Sequence, residues 1–420
     1  MRFLVLLTVW AFTGAAWRAA ADDWPQWRGP KRDGISAEKG IVDSWGSNGP
    51  PILWMAKGLG QGYSSVSVAS GRLYTMGDVG ESSFVHALDL ASKGKIVWSS
   101  RVGRSGSPPA GYAGTRATPT VDGGQIFALG QHGDLVCVQA GDGKEVWRKS
   151  LKKDLAGVMM SEWGNSESVL VDGEKVICTP GGKDGTLAAL NKKTGAVLWR
   201  SVDLTDPAAY SSVIVEEIGG ARQYLALTHK SVAGVAAENG KLLWRADRRG
   251  STAVIPTPIY KDNHLFVTSG YRVGCNLFRI ASDGGKFAAT QVYANNDFAN
   301  HHGGVVLIGD YLYGHSDQLG GKDNDVWVCM EFKTGKLMWS KSGVRKGSLT
   351  AVDGKLICRS QGKRGSIALV EASPEAYKEL GRFDQHERGL KEAWPHPVVA
   401  NGRLYIRDMD VLLCYDVRKK

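Results

Sequence analysis

The chain has 420 residues, 43% of them hydrophobic and 22% charged, with 54 glycines and a formal net charge of +10. This balance excludes a disordered or low-complexity polypeptide, which would lack the apolar residues needed to bury a core. The positive charge is spread along the chain, and no lysine or arginine run is interleaved with aromatics, so nucleic acid is not expected as a partner.

At the amino terminus, Arg2 precedes an apolar stretch from Phe3 to Trp17, and Ala19, Ala20 and Ala21 place small residues before Asp22. This is the pattern of a secretory signal peptide over residues 1–21. The stretch is short for a membrane span, and no later run approaches the roughly 20 apolar residues of a transmembrane helix. No cysteine follows the expected cleavage site, so no lipid anchor is indicated. The expectation is an exported protein of the periplasm or extracellular space. Residues 22–51 form an N-terminal extension that opens with Trp24-Pro25-Gln26-Trp27-Arg28-Gly29-Pro30.

From Ile52 onward one short motif recurs, a glycine followed within a few apolar residues by tryptophan. It appears as Gly94-Lys95-Ile96-Val97-Trp98, Gly143-Lys144-Glu145-Val146-Trp147, Gly195-Ala196-Val197-Leu198-Trp199, Gly240-Lys241-Leu242-Leu243-Trp244 and Gly335-Lys336-Leu337-Met338-Trp339. Ile52-Leu53-Trp54 is a separate closing strand without its glycine. Neighbouring tryptophans mostly lie roughly 45 to 50 residues apart, a period that marks a propeller or solenoid. A repeat of this size buries one face against the next copy.

Each unit reads as four short strands with period-two alternation between turn dipeptides. In the second unit these are Thr118 to Val121, Ile126 to Leu129, Leu135 to Val138 and Glu145 to Trp147, with Asp122-Gly123 as the first turn. Asp172-Gly173, Asp353-Gly354 and Asn401-Gly402 repeat that turn, where a tight hairpin needs positive φ. Eight units begin near Tyr63, Thr115, Asn165, Tyr210, Ile255, His301, Lys346 and Trp394, and units five and seven lack the tryptophan. The eighth ends at Tyr415-Asp416 without a fourth strand, which the segment around Trp54 supplies. The expected fold is therefore all-β, an eight-bladed antiparallel β-propeller over residues 52–420, closed by an N-terminal strand that completes the last blade.

Trp54, Trp98, Trp147, Trp199, Trp244 and Trp339 are expected to act as structural docking residues that bury large areas between blades. Cys137, Cys329 and Cys414 occupy the place held elsewhere by Ala87 and Ala189, and Cys178 and Cys358 share another. Cysteine that exchanges with alanine reads as a buried filler, so free thiols are expected. Equivalent positions in distant blades also lie too far apart to bond.

The motif, seen in full as Ala189-Leu190-Asn191-Lys192-Lys193-Thr194-Gly195-Ala196-Val197-Leu198-Trp199, resembles the tryptophan-docking repeat Ala-x-Asp-x-x-Thr-Gly-x-x-x-Trp of the PQQ-like propeller family. The resemblance covers Ile52 to the C-terminus and has two functional branches. One is the BamB-type outer-membrane assembly factor, a non-enzymatic scaffold. The other is the quinoprotein alcohol dehydrogenases, which hold pyrroloquinoline quinone and calcium in the axial cavity. The adjacent cysteine pair common in that second branch is missing here, and so is the lipid-anchoring cysteine of the first.

No Gly-x-Ser-x-Gly elbow, His-Glu-x-x-His helix, phosphate loop or EF-hand loop is present, so no catalytic residue and no metal ligand is assigned. Glu162, Glu167, Asp297, Asp317 and Asp408 are carboxylates among which sequence offers no choice of a base. Residues entering the innermost strands should ring one mouth of the axial channel: Tyr63, Asn165, Tyr210, His301, Lys346 and Trp394, with Arg116, His302 and His396 nearby. Such a rim suits a flat anionic ligand, a quinone or a sugar acid, or lines a water-filled channel. Adjacent His301 and His302 point to opposite faces of a strand and are not expected to chelate one metal. Trp163 and Trp394 precede a first strand and suit a protein interface.

The first expectation is a non-enzymatic, monomeric scaffold of the cell envelope that binds protein or peptide partners. The alternatives are an oxidoreductase using pyrroloquinoline quinone with calcium on alcohols, and a propeller that binds an extracellular carbohydrate.

Overall fold

Strand pairing follows the alternation and the Asp-Gly and Asn-Gly turns, and it yields eight four-stranded antiparallel sheets around one axis. The computed structural model describes residues 23–389 and 391–419; the signal-peptide reading of residues 1–21 lies outside the described residues. Blade 1 comprises Ser67–Ala69, Arg72–Val79, Ser82–Asp89 and Lys95–Arg104, and each of the next six blades repeats this consecutive order. Blade 8 takes Val398–Ala400, Arg403–Asp408 and Val411–Asp416 from the C-terminus and Ile52–Ala56 as its outermost strand. The eight-bladed propeller expected from the repeat is the architecture observed, including the strand that closes the ring.

Each outer strand carries the same irregularity. One residue before the tryptophan or its equivalent, the pairing register shifts by a residue, in all eight blades. A bulge of this kind bends the strand and raises its twist. Here it sits beside side chains that lie across the junction to the next blade. A Cβ on Gly195 would lie 2.8 Å from the Trp147 ring, one on Gly143 2.6 Å from Trp98, and one on Gly240 2.5 Å from Trp199. The Trp54 ring lies equally close to Gly94, which joins the last blade to the first. Trp147 Nε1 donates to the Lys192 carbonyl at 2.8 Å and Trp339 Nε1 to that of Ser373 at 2.8 Å. Trp244 instead donates to Gln223 in its own blade and is buried among residues of blades 4 and 5.

The two units without tryptophan have different substitutes. In blade 5, Tyr293 covers Gly335 and its hydroxyl donates to the Phe332 carbonyl at 2.9 Å. In blade 7 the equivalent position is Gly381, against which the Trp45 backbone of the N-terminal extension lies, and the ring of Phe383, two residues on, covers Gly49 of the turn into the last blade's outer strand. The Trp45 ring stands 5.3 Å from that of Phe383. The six cysteines are free and buried. Cys137, Cys329 and Cys414 pair across the sheet with Trp147, Trp339 and Trp54, where a small side chain leaves room for the indole.

The extension first plugs the channel and then wraps the side of the ring. Trp24 exchanges two 2.8 Å backbone hydrogen bonds with Val68 of blade 1, and the Pro25 carbonyl accepts from Val121 of blade 2. Trp27 Nε1 donates to Thr257 Oγ1 at 3.0 Å, ahead of blade 5. The buried Arg28 and Arg32 guanidiniums donate to the carbonyls of Val305 and Ser168, on opposite sides of the ring. Ile35–Ser36 then pairs in parallel with blade 7. Further on, Ile41 bridges Arg418 and Trp45 N donates to the Leu380 carbonyl before the chain enters blade 8.

Replacing Trp147 by Ala should cost about 3–5 kcal/mol, because a buried indole leaves a cavity that the two flanking sheets cannot close. Gly195→Ala should cost about 1–3 kcal/mol, since the backbone there has φ +69 and the new methyl meets that indole. Denaturant midpoints at constant slope would measure both, and an unchanged midpoint for Trp147→Ala would remove the indole from the blade junction.

Candidate functional site

The plug closes one end of the channel and leaves a cup at the other. Trp27 lines its floor, and the residues that enter the innermost strands line its wall. The cup encloses about 210 Å³. Of the sequence-predicted rim residues, Tyr63, Arg116, Tyr210, His301, His302 and Trp394 line it, together with Ile255 and His396. Asn165 and Lys346 are held by other partners. Asn165 donates its backbone N–H to the Gln131 carbonyl at 2.8 Å, and Lys346 Nζ pairs with Asp317 at 2.8 Å in an adjoining hollow.

Aromatic rings pass from blade to blade around the rim. Tyr63 and Trp394 stack at 4.3 Å with 30° between planes, Tyr112 follows at 5.0 Å from Trp394, and Trp163 at 5.6 Å from Tyr112. On the other side of Trp394, His302 lies at 5.6 Å, His301 at 5.0 Å from His302, and Tyr271 at 4.8 Å from His301. Tyr112 and Tyr271 were not singled out from sequence. Both sit in left-handed conformations, with φ 58 and φ 56, and both are exposed. Bulky residues with positive φ are outliers that cluster at ligand clamps. The signal available in sequence was their placement beside glycine, in Gly111-Tyr112 and Gly270-Tyr271.

The polar groups of the cup are unevenly satisfied. His396 Nε2 donates to the His302 carbonyl at 2.9 Å. His302 itself has no partner at either ring nitrogen, although both are buried. Arg116 donates to the Tyr112 carbonyl at 2.5 Å, the Gly111 carbonyl at 3.4 Å and Gln131 Oε1 at 3.4 Å. Gln131 in turn donates to Asp78 at 3.1 Å, so an amide stands between this arginine and the nearest carboxylate it reaches. No Asp or Glu lines the cup among the described residues. Asp317 lies behind His301 at 4.0 Å.

Elsewhere, the sequence-singled carboxylates are occupied or remote from the cup. Glu167 accepts from Thr179 N at 2.6 Å and lies beside the plug's Arg32, while Asp408 pairs with Arg359 at 3.3 Å and with Arg388. Asp297 accepts from Gly320 N at 2.7 Å, and Glu162 is not among the residues that line the cup.

Burial sets the charge state of this region. It pushes His301 down to about 4 and His396 to about 3, with Lys346 and Arg28 respectively adding to the effect, and holds His302 well below the ordinary value. Outside the cup, burial lowers His86 to about 4 as well. A histidine depressed in the fold binds its proton only on unfolding, so its contribution is complete above about pH 6.5 and is lost as pH falls through the folded value. Glu167 and Glu216, pushed up to about 7 by burial, act in the opposite sense and lose stability as pH rises from about 4.5 toward 7. With His132 also lowered and Asp33 and Asp78 also raised by burial, five histidines oppose four carboxyl groups, of which the aspartates titrate lowest, so unfolding free energy should fall between about pH 6.5 and pH 4. Denaturant titrations across this range should show that fall, and His302→Phe should flatten it; an unchanged slope in the variant would mean that His302 is protonated in the fold.

Comparison with known proteins places this geometry in a family. Residues 81–341 match the family model described as outer membrane protein assembly factor BamB. A BamB of Shewanella oneidensis is 23% identical over 367 residues, which span 74% of this chain and 86% of that protein. Quinohemoprotein alcohol dehydrogenase ADH IIB of Pseudomonas putida is 32% identical over 144 residues, but these span 31% of this chain and 20% of that enzyme. Among solved structures, BamB from Moraxella catarrhalis superposes with a TM-score of 0.60 at 15% identity, covering 87% of this chain and 99% of that one. Quinohemoprotein alcohol dehydrogenase from Comamonas testosteroni gives a TM-score of 0.64 at 12% identity, covering 95% and 81%. At these identities the superpositions speak for the fold alone. The match of more than half its length assigns the sequence: the chain belongs to the PQQ-like repeat family of the outer membrane protein assembly factor BamB.

Proposed function

We propose that this protein is a non-enzymatic binding propeller of the cell envelope, an exported scaffold that takes part in outer membrane protein assembly. The observation that carries this reading is the BamB relative, matched along 86% of its own length. The dehydrogenase relative is matched over only a fifth of its length. A rigid ring that displays many loops suits such a role. The rim offers exposed aromatic side chains, Tyr112 and Tyr271, of the kind that anchor protein interfaces.

The residues present do not fit the quinone and calcium of the dehydrogenase branch. Calcium takes six to eight oxygens, most of them from carboxylates and carbonyls. The cup has no carboxylate lining, and no group of three or more His, Cys, Asp and Glu residues suited to a metal occurs among the described residues. Its 210 Å³ also falls below the roughly 300–1,000 Å³ of sites for drug-sized ligands.

The test has two arms. In the first, mature protein is titrated with pyrroloquinoline quinone and calcium and assayed for alcohol-dependent reduction of a dye; no turnover is expected, and turnover would overturn the scaffold reading. In the second, a photo-crosslinking residue replaces Tyr112 or Tyr271 in the native host. Crosslinks to an outer membrane assembly protein are expected from the rim but not from Val202, an exposed residue outside the cup.

A further inference from the structure

The cup holds features that a partner-binding rim does not require, and they converge on a small ligand. His302 is half-buried and lines the cup, and both of its ring nitrogens are buried without a hydrogen-bond partner among the described residues. A neutral imidazole carries one donor and one acceptor, and buried polar groups in native proteins are nearly always paired. Arg116 also lines the cup and makes no ion pair among the described residues. A guanidinium has about five N–H donors, so three bonds leave about two for another molecule. The nearby Asp317 is already paired with Lys346 at 2.8 Å. The cup therefore has one fixed positive charge and no negative one in its lining.

The walls specify the rest of the ligand. Tyr63, Trp394 and Tyr112 form a run of ring faces within 4.3 to 5.0 Å of one another. Flat apolar surface of this kind binds another flat ring by offset stacking. Hydroxyl groups in the lining belong to Ser166, Ser168, Ser212, Thr252 and four tyrosines; Ser168 and Ser212 already accept backbone N–H bonds at 2.9 Å, and Tyr210 pairs with Ser161. The apolar faces of the aromatic wall favour a flat aromatic ring over a sugar ring, which has no π face to stack. A volume of about 210 Å³ limits the ligand to one ring or a fused pair.

We propose that the axial cup is a binding site for an aryl monocarboxylate, its ring stacked on the Tyr63–Trp394–Tyr112 wall and its carboxylate held by Arg116, with His302 bonding a ring substituent or the second carboxylate oxygen. Binding is noncovalent and independent of the envelope role, which rests on the family match rather than on the cup. A guanidinium suits a carboxylate because its N–H bonds to the anion are charge-assisted, and Arg116 keeps its Nε hydrogen and one Nη1 hydrogen unused among the described residues.

Calorimetric titration of the full mature protein with 4-hydroxybenzoate tests this, beside its neutral amide 4-hydroxybenzamide and beside D-glucuronate. Saturable one-to-one binding of the acid is expected, at least tenfold tighter than the amide and tighter than glucuronate. Arg116→Gln should lower acid affinity tenfold or more while leaving amide affinity unchanged, and Arg116→Lys should recover part of the loss. Equal affinity for acid and amide would overturn the role of Arg116, and this comparison on the wild-type protein stands even if the variants fold poorly. Tighter binding of glucuronate would make the cup a sugar site, and no binding of the acid at millimolar concentration would overturn the proposal. Turnover with quinone would sink the scaffold reading and leave the acid-to-amide comparison as a separate result.

Discussion

The contact between one blade's outer aromatic residue and the next blade's turn glycine is what the rest of this molecule depends on. A single four-stranded sheet of this size cannot bury both faces, so each blade is stable only against its neighbours. Glycine is needed at the turn for two reasons at once: positive φ, and the absence of a Cβ where the indole lies. The bulge one residue earlier adds twist at the same point in every blade. The contact recurs at most junctions, and closing the circle calls for an outer aromatic residue on the last blade as well. Trp54 provides it from the other end of the chain, against Gly94.

The N-terminal extension makes the ring more than a repetition of that contact. The Trp45 backbone lies against Gly381 of blade 7, while Phe383 of the same strand places its ring against Gly49 in the turn into the last blade's outer strand. The preceding residues cross the channel and bind carbonyls of blades on opposite sides through Arg28 and Arg32. Buried guanidiniums are costly unless their donors are used. Here a donor from each joins segments that no repeat contact brings together, while Arg28 Nη1 and Arg32 Nε have no partner among the described residues. The plug also decides what the channel can do, since it turns an open pore into a cup with Trp27 as its floor.

The contents of that cup set which small molecules it can hold. An axial cavity with carboxylates and oxygen donors would suit a cation and a multiply charged quinone. This cavity has aromatic walls, unpaired histidine nitrogens and one arginine. Burial keeps the imidazoles neutral. The fold alone does not choose between the functions of the proteins that share it.

The sequence by itself determined the blade count, the order of strands and the closing strand, because those depend on periodicity and turn chemistry, which are local. It also indicated most of the rim, since equivalent positions of a repeat project to the same height around the axis. It did not show that Asn165 and Lys346 turn to Gln131 and Asp317, because such choices depend on neighbours distant in sequence. Tyr112 and Tyr271 escaped notice because they lie in connecting segments outside the repeat register. The course of residues 23–51 was likewise a tertiary matter. An irregular segment has no period to read, and its path is set by carbonyls and cavities that exist only once the ring has formed.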